Sequence, residues 1–376
     1  MPEAVIVDAV RTPIGRAFKG SLAQLRPDDT AAYVIDQLLE RNPDVDPASV
    51  EEVVAGCGMP QGLQAFNIGR IMVLLSDKLP DTVNGVTVSR YCASSLESIR
   101  QAANAVKAGE GDTYIAAGVE WVSRYNERSE AAGEADQNDK LQGKDGTPNV
   151  YISMGETAEN VAEKWEVSRS DMDKYAQRSQ ELAVQSQESG FFDREIVPVT
   201  LPDGTQVAKD DGPRASSTLE KLASLQPAFR EGGTVTAGNS CPLNDGAAAV
   251  LIMSDTKAKE LGLTPRARLV TAATAGLEPE IMGVAPIGAI KKVLERAGMT
   301  IEDVDTVELN EAFAAQVIPI MQECNIPLEK MNPHGGAIAL GHPFGMTGAR
   351  IMTTLIHGLQ HDNKAVGMES MCVGGG

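Results

Sequence analysis

Apolar residues recur along the chain in two patterns. Continuous or alternating apolar runs are typical of strands, and a spacing of three to four residues is typical of helices. Strand and helix patterns alternate several times before residue 122. Strands that alternate with helices are usually joined by crossovers, so the pattern predicts an α/β fold with a mostly parallel sheet covered on both faces. The predicted elements are a strand at 3–10, a helix at Asp28–Arg41, a strand at 51–57, a short helix near Asn67–Asp77, a strand at 86–89, a helix that ends at Gly109 and a strand at 112–120.

The alternation stops between about residue 123 and residue 245, which we interpret as an insertion rather than a further α/β unit. Its first part is rich in Asn, Glu, Asp, Gly and Lys, a composition typical of loops. The elements predicted there and beyond are loops at 124–150, helices at Gly155–Trp165 and Arg169–Glu188, two short strands around the Pro-Asp-Gly turn at 202–204, and then a strand from Asp245, a helix and a strand at 266–276.

A repeat organises the two ends of the chain. Residues 38–54 resemble residues 293–307, and each copy combines a helix end, a loop with an acidic turn and an apolar strand. The shared order favours a duplication. We therefore predict an N-terminal half at 1–122 with 245–265, an inserted loop domain at 123–244, and a C-terminal half at 266–376 that ends with a strand at 364–372.

Composition excludes several classes of function. The formal net charge is −19 and no run of five basic residues occurs, which argues against nucleic acid and anionic membrane surfaces as partners. The N-terminus lacks a charged-then-apolar signal pattern and no apolar stretch approaches 18 residues, so we expect a cytoplasmic protein without membrane insertion. The five cysteines form no CxxC pair, so neither a disulfide framework nor a metal site is predicted.

Cys92 lies between the predicted strand at 86–89 and the helix that follows. Ser94 and Glu97 fit a capping box, which would start the helix there and leave Cys92 just before its first turn. A thiol at a helix N-terminus faces unpaired N–H groups that favour the thiolate, as a nucleophile requires. The alternative is a small buried residue, because free cysteine is among the most buried residue types.

The second half carries the other candidates for chemistry. Asn310 follows a predicted strand, His342 lies between glycines before a helix, and Cys372 precedes Gly374 and its neighbouring glycines. At strand–helix junctions these groups could supply a base, an acid and oxyanion donors for a Cys92 nucleophile, which suits acyl-thioester chemistry better than proteolysis. His334 is the nearest rival histidine, whereas His357 and His361 are predicted to be solvated at a polar helix end.

Taken together, these motifs resemble those of the thiolases, or acetyl-CoA acyltransferases, over essentially the whole chain. The most specific are the glycine-rich segment around His342 and the terminal C-x-G-G-G. The motifs are VIVDAVRTPIGR at 5–16, the Cys92 segment at 83–109, MGETAENVA at 154–162, GTVTAGN at 233–239, NDGAAA at 244–249, NEAFAA at 310–315, GGAIALGHPFG at 335–345 and CVGGG at 372–376.

The resemblance implies a fold and an activity. The fold would have duplicated α/β halves with mixed, mostly parallel sheets between helical layers, plus an inserted loop domain. The activity would be thiolytic cleavage of 3-ketoacyl-CoA to acetyl-CoA and a shortened acyl-CoA, or the reverse condensation. Coenzyme A would be a substrate, with no cofactor, and a homodimer or homotetramer would be expected.

The same resemblance implies roles for individual residues. Cys92 would carry the acyl group, His342 would activate it, and Cys372 would act as acid and base at the substrate C2. Asn310 would hold a water that, with His342, stabilises an enolate, and the N–H groups of Cys92 and Gly374 would form a second oxyanion hole. The CoA and substrate contacts implied are Arg214 and Lys221 near the nucleotide, Cys241 near the pantetheine, and Met154, Phe229, Met282 and Phe313 along the pantetheine and acyl path.

The chain departs from the family pattern at a few positions. Ser89 and Ser95 replace the usual Asn and Gly, and Cys241 and Pro242 replace Ser and Gly. Ser153 stands where short-chain biosynthetic members often have His, which favours a role in fatty-acid β-oxidation. Members also run on through one more strand after the position of Gly376, so we expect the second sheet to lack that strand.

Two alternative functions stay open at this stage. One is a decarboxylating condensing enzyme of the same superfamily, although such enzymes need a His where Asn310 stands. The other is a non-catalytic acyl-CoA or lipid carrier on the same fold, which the joint presence of Cys92, His342 and Cys372 disfavours.

Overall fold

The computed structural model describes residues 2–125, 137–144 and 146–376; residues 126–136 and 145 of the predicted loop excursion lie outside the described residues. No helix in the described part of the chain is long and apolar enough to cross a membrane. The strands are β1 (Ala4–Arg11), β2 (Gly15–Arg16), β3 (Glu52–Cys57), β4 (Asn84–Val88), β5 (Thr113–Trp121), β6 (Val199–Thr200), β7 (Gln206–Val207), β8 (Asn244–Ser254), β9 (Ala267–Arg268), β10 (Thr306–Leu309) and β11 (Gly367–Ser370).

The helices differ from the predicted ones by one or two residues at most ends. Their bounds are α1 (Pro27–Glu40), α2 (Ile68–Leu75), α3 (Ser94–Ala108), α4 (Met154–Lys164), α5 (Arg169–Glu188), α6 (Leu219–Ala223), α7 (Asp255–Glu260), α8 (Pro286–Ala297), α9 (Ala314–Glu323), α10 (Ala337–Leu340) and α11 (Thr347–His361).

The largest sheet has the order β4-β3-β5-β8-β1-β9, with β2 paired to β8. β3 pairs in parallel with β4 and β5, whereas β8 is antiparallel to both β5 and β1, and β9 is antiparallel to β1. The sheet is therefore mixed as predicted, but the prediction of mostly parallel pairing is wrong. The reason is that β8 lies between β1 and β5 and runs in the opposite direction, so both of these pairs are antiparallel. β5 and β8 are buried along their whole length.

Helices from both ends of the chain cover this sheet. α1 and α2 share one apolar core with one face, and α3 and α11 share another with the opposite face. α3 and α11 lie in close contact, because a Cβ on Gly348 would come within 2.2 Å of the backbone nitrogen of Leu96. Only glycine permits this approach, which places the loop before α11 beside the loop before α3.

A second, much smaller sheet consists of β10 and β11, paired in parallel from Thr306↔Gly367 to Leu309↔Ser370. The predicted strand at 364–372 forms only at β11, and the one at 266–276 forms only at β9. Strand pairing of this segment ends at Arg268, and among the described residues no strand pairs with the chain beyond it. Between residues 269–276 and β11 lies a groove of about 640 Å³, which we call the strand groove.

The repeat is confirmed at the level of secondary structure. Residues 38–54 contain the end of α1, a 3₁₀ turn at Pro47–Ser49 and β3. Residues 293–307 contain the end of α8, a 3₁₀ turn at Ile301–Asp303 and the start of β10. β3 then pairs in parallel with β5, and β10 pairs in parallel with β11. The boundaries of the two halves and of the insertion stay predictions.

Candidate active site

Cys92 lies in a 3₁₀ turn at Tyr91–Ala93, directly before α3. The helix starts where predicted, but the predicted capping box is wrong. The Ser94 Oγ donates to the Tyr91 carbonyl at 2.6 Å and accepts from the Arg90 N–H at 2.9 Å, so it closes the preceding turn instead of capping the helix. Ser94 itself has helical backbone angles, and Ala93 occupies the cap position without a side-chain bond.

The expectation that Cys92 favours the thiolate is also wrong. Burial raises the pKa of its thiol well above the usual value, and the neighbouring Cys372 and Cys241 raise it further. The N–H of Gly374 acts in the opposite direction by hydrogen bonding to the sulfur. Because desolvation outweighs the helix N-terminus, Cys92 rests as a neutral thiol and needs a base to take its proton.

The same contacts bring three thiols together. Burial raises the pKa of Cys372 to about 11 and that of Cys241 to about 12, and the charge of Cys372 adds to the shift of Cys241. Cys372 follows β11 and is fully buried, and its Sγ donates to the Gln316 Oε1 at 3.4 Å. Cys92, Cys241, Cys372 and the Gly374 N–H thus form one cluster, which we call the thiol cluster.

His342 is held in one tautomer. Its Nδ1 lies 2.6 Å from the Thr347 Oγ, whose only hydrogen is donated to the Pro343 carbonyl at 2.8 Å. The Thr347 oxygen must therefore accept from Nδ1–H, which leaves Nε2 as the basic nitrogen. Burial lowers the pKa of His342 to about 3, with a further contribution from Arg350, so the ring is neutral near pH 7.

Asn310 connects this imidazole to the thiol cluster. Its Nδ2 donates to the His342 Nε2 at 3.3 Å, and its backbone carbonyl accepts from the Gln316 Nε2 at 3.4 Å. Its Oδ1 is buried and has no hydrogen-bond partner among the described residues. Such an acceptor can take a hydrogen bond from a bound water or substrate group. A continuous path thus runs from His342 through Asn310 and Gln316 to Cys372.

Sequence reasoning missed Glu120, which anchors the loops around the site. It is the penultimate residue of β5, and its carboxylate accepts from the backbone N–H groups of Gly58 and Gly345 at 2.7 Å each and from the Gln64 Nε2 at 2.9 Å. Gly345 belongs to the loop of His342, so one carboxylate of the first half holds a loop of the second. A charged residue near the end of an apolar strand was the available signal.

Glu311 is a second anchor that sequence reasoning did not single out. Its carboxylate accepts from the Tyr175 hydroxyl at 2.8 Å, the Ser179 hydroxyl at 2.6 Å and the Asn332 Nδ2 at 2.8 Å. A Cβ on Gly336 would lie 2.1 Å from the Glu311 Cδ, so glycine is required there for the chain to pass. Its position directly after Asn310 in the sequence was the signal.

Three of the residues predicted along the pantetheine and acyl path, Met154, Met282 and Phe313, pack in or against the apolar core that contains Cys372, and Phe229 contacts Phe313. A Cβ on Gly374 would lie 3.4 Å from the Met154 Sδ, at the first residue of α4. Phe229 and Phe313 meet edge to face at 5.9 Å between ring centroids. Met282 and Phe313 are buried in the same apolar core as Cys372, against which Met154 and Cys241 pack.

The two residues predicted to contact the nucleotide, Arg214 and Lys221, lie away from the thiol cluster. Burial and the charge of Arg16 lower the pKa of Arg214, and its N–H donates to the Gln180 Oε1 at 2.8 Å. Lys221 is exposed on α6. Within the described ranges neither side chain has a carboxylate within ion-pair distance, and the structure shows no contact between either of them and the thiol cluster.

Other predicted residues have structural partners. Ser95 accepts from the Ala349 N–H at 2.8 Å and so links α3 to α11, and Ser89 donates to the Gly58 carbonyl at 3.2 Å. His361 is exposed as predicted, but the prediction for His357 is wrong. It is buried with its Nε2 3.3 Å from the Ala9 carbonyl, because α11 packs on the first sheet rather than ending in solvent.

Comparison with known families and proteins agrees over the whole chain. Residues 4–256 match the family model "Thiolase, N-terminal domain" and residues 263–376 match "Thiolase, C-terminal domain". The 3-oxoadipyl-CoA/3-oxo-5,6-dehydrosuberyl-CoA thiolase of Escherichia coli K12 is 44% identical, over 100% of this chain and 98% of that protein. The 3-ketoacyl-CoA thiolase of Bacillus subtilis 168 is 42% identical, over 100% and 97%.

Solved structures give the same result. The acetyl-CoA acetyltransferase of Bacillus anthracis superimposes with a TM-score of 0.92 at 41% identity, covering 100% of this chain and 97% of that one. The dimeric peroxisomal thiolase of Saccharomyces cerevisiae also gives 0.92, at 38% identity and with coverage of 100% and 95%.

Proposed function

The chain belongs to the thiolase family and is an acyltransferase with thiolase activity, and we propose that Cys92 carries the acyl group when it cleaves 3-ketoacyl-CoA. The observation that carries this proposal is the thiol cluster, in which Cys92 meets Cys372 and the Gly374 N–H at one buried point. A path of hydrogen bonds connects that point to His342, whose Nε2 is the basic nitrogen.

In the first half-reaction, the Cys92 sulfur attacks C3 of the substrate while the His342 Nε2 takes the thiol proton. The N–H groups of Cys92 and Gly374 stabilise the oxyanion that forms on C3. When the C2–C3 bond breaks, its electron pair stays on C2 and Cys372 supplies the proton that completes acetyl-CoA. A pKa of about 11 keeps Cys372 protonated near pH 7, which suits a proton donor.

In the second half-reaction, CoA attacks the acyl-cysteine and gives its thiol proton to the Cys372 thiolate. Cys92 leaves as a thiolate and recovers its proton from His342, which restores the resting state. Asn310 supports the enolate stage through its unpartnered Oδ1, which can bind a water next to His342. All groups in this scheme belong to the chain, and CoA enters as a substrate rather than as a cofactor.

Incubation with acetyl-CoA tests this assignment. We expect release of CoA and an acetyl adduct on Cys92, located by mass spectrometry of peptides. An adduct on Cys241 or Cys372 with Cys92 unmodified would contradict the proposal.

For the substrate, we infer 3-oxoadipyl-CoA as the first candidate, supported by the names of several relatives, among them the Escherichia coli protein. Fatty-acid β-oxidation, predicted from Ser153, is the competing assignment, and the Bacillus relative has the more general name 3-ketoacyl-CoA thiolase. 3-Oxohexanoyl-CoA has the same number of acyl carbons and lacks the terminal carboxylate, so it is the matched control. A higher kcat/KM for 3-oxoadipyl-CoA supports the first assignment, and the reverse order supports the second.

For the nucleotide of CoA, we keep Arg214 as a candidate contact and add Arg16. Arg16 lies close enough for its charge to lower the pKa of Arg214, and neither has a carboxylate within ion-pair distance among the described residues. Two adjacent cations without anions favour phosphate. Arg214→Gln should raise the KM for CoA with little change in kcat, whereas Lys221→Gln tests the second predicted contact separately.

For assembly, we propose a homodimer, with a homotetramer as the larger alternative. β4 is an edge strand of the largest sheet, and Phe66 beside it is 91% exposed. Edge strands with apolar neighbours are commonly covered by a partner. The five free cysteines suit a reducing compartment such as the cytoplasm. Size-exclusion chromatography coupled to light scattering would give the number of chains in the assembly.

A further inference from the structure

Three side chains that ligate metals well lie together at the end of α11, outside the thiol cluster. His361 is the last residue of that helix, Asp362 follows it, and His334 comes from the loop before α10. One ligand atom from each lies within 4.8 Å of the other two, and no other such group occurs among the described residues. The family resemblance assigned no role to any of the three.

His334 is held in place by its surroundings, and one of its nitrogens is free. Its ring stacks on Phe191 with 3.6 Å between centroids and an interplanar angle of 9°, and its Nδ1 lies 3.4 Å from the Ser186 Oγ. Its Nε2 is buried, has no hydrogen-bond partner within the part of the chain that the structure describes, and lies 3.6 Å from the Asp362 Oδ2. A buried nitrogen without a partner is costly, so this atom needs a ligand.

The other two side chains are exposed and can adjust. The His361 Nδ1 lies 2.8 Å from the Asp362 Oδ1. Lys364 approaches the same carboxylate with 3.8 Å between its Nζ and Oδ2. Metal–ligand bonds of about 2.0–2.2 Å require ligand atoms roughly 3.3 Å apart, which rotation of the exposed side chains can reach from the present separations.

We propose that His334 Nε2, His361 Nδ1 and the Asp362 carboxylate bind one divalent transition-metal ion of the zinc or cobalt type. Two imidazoles and one carboxylate suit such ions, with solvent filling the remaining positions. Ser186 on the other nitrogen of His334 acts as the outer partner that orients a ligating histidine. The bound ion ties the end of α11 to the loop that carries Gly336 and leads to His342, so it stabilises the second half.

Cobalt(II) titration of the full chain tests this site, because its visible absorption reports the ligands. We expect one ion per chain with the bands of a nitrogen and oxygen site and without the intense near-ultraviolet band of a cobalt–thiolate bond. Asp362→Asn and His361→Ala should each weaken binding by at least about tenfold, since each removes one of three protein ligands. Lys364→Ala should tighten binding, because it removes a competing cation from Asp362.

Several controls distinguish this site from metal binding at the thiols or at an arbitrary surface carboxylate. Glu295→Gln removes an exposed carboxylate on α8 and should leave the affinity unchanged. The Asp362→Asn and His361→Ala variants should keep thiolase turnover, which shows that they fold, and zinc should raise the Tm of the parent chain but not of these variants. Equal affinity in parent and Asp362→Asn, or a cobalt signal that disappears only when the thiols are alkylated, would overturn the proposal.

Discussion

The two halves of this molecule support their parts of the active site in different ways. In the first half, β5 lies between β3 and β8, and β1 continues the sheet beyond β8. In the second half, β11 has β10 on one side and the strand groove on the other. The repeat makes β10 and β11 the counterparts of β3 and β5, so the groove occupies the position that β8 fills in the first half.

Side chains hydrogen-bond to the backbone along one edge of the strand groove in the second half. Among the described residues, no N–H from Val270 to Gly276 donates a hydrogen bond, whereas carbonyls of the same segment accept from long side chains at 2.7–3.1 Å, namely Lys107, Lys292 and Arg296. Glu311 holds the loops around His342 in the same manner. The first half thus positions one thiol on a wide sheet, while the second half positions His342, Asn310 and Cys372 through side-chain hydrogen bonds.

The largest expected effects come from removing one thiol of each half, Cys92 of the first and Cys372 of the second. Cys92→Ala should abolish both acyl-enzyme formation and thiolysis, with a loss on the order of 10⁶ typical of a missing nucleophile. Cys372→Ala should still form acyl-enzyme from a plain acyl-CoA, although more slowly because Cys372 also protonates the departing CoA thiolate. Thiolysis of acetoacetyl-CoA needs the C2 proton as well, so it should fall by about 10²–10⁴ more. Stopped-flow and steady-state assays measure the two reactions.

An equal loss of both reactions in Cys372→Ala would mean that Cys372 supports Cys92 or the loop instead of the carbon acid. His342→Ala is the control, because losing the base of Cys92 should slow both reactions together.

Asn310→Ala tests the contribution of the second half to the oxyanion. Removal of one such group typically costs about 10²–10³ in kcat, roughly 2.7–4 kcal/mol. The fold should persist, since the hydrogen bonds of the Asn310 backbone carbonyl and N–H remain. Near-normal turnover would remove Asn310 from the mechanism; circular dichroism and Tm establish that the variant is folded.

The two anchoring glutamates should respond differently to the same change. Glu120 accepts from backbone N–H groups and an amide, which cannot reverse, whereas Glu311 also accepts from the Tyr175 and Ser179 hydroxyls, which can rotate to donate elsewhere or accept. Glu120→Gln should therefore reduce the free energy of unfolding by about 1–3 kcal/mol, and Glu311→Gln by less. Denaturant unfolding measures the loss in free energy of unfolding for each variant. An equal or larger loss in Glu311→Gln would contradict the expected difference.

The smallest expected effect concerns the strand groove. Gly376 lines its mouth, and apolar side chains of α8 and α11 such as Ile290, Val293 and Leu355 line its walls. A short apolar, strand-forming segment fused after Gly376 should pair with β11 and raise Tm by a few degrees, since about 1 kcal/mol shifts Tm by roughly 2–4 °C in domains of this scale. The same segment with alternate residues changed to Asp is the matched control, and an equal Tm for both would contradict strand pairing.

Capping residues and apolar periodicity predict most helices and strands well. They do not predict contacts between segments that lie far apart in the sequence. α5 begins at Arg169 as predicted because Ser168 caps it and the apolar period is clear. The strand at 266–276 was overestimated because pairing depends on a neighbour that the local pattern does not reveal. The predicted pKa direction of Cys92 is wrong because burial raises its pKa, and Cys372 and Cys241, which lie far away in sequence, raise it further.

The candidate site shows the same limit. The motifs identified Cys92, Asn310, His342 and Cys372, and the structure joins them in two connected groups. The position of Glu120 near the end of an apolar strand marks it as unusual but does not reveal its partners, because the backbone N–H groups at residues 58 and 345 have no sequence signature. The tautomer of His342 likewise depends on which group accepts the hydroxyl hydrogen of Thr347, and the sequence does not reveal this acceptor.

The distance along the chain between Glu120 and Gly345 has a consequence for biosynthesis. At a translation rate of roughly 5–20 residues per second, the ribosome needs about 11–45 s between these two positions. During this interval the first half can form its sheet, but Cys92 lacks the Gly374 N–H and the Cys372 thiol that lie beside it in the finished protein. The nascent chain therefore carries an unsheltered cysteine, open to oxidation and to electrophiles, until the last segments emerge and enclose it.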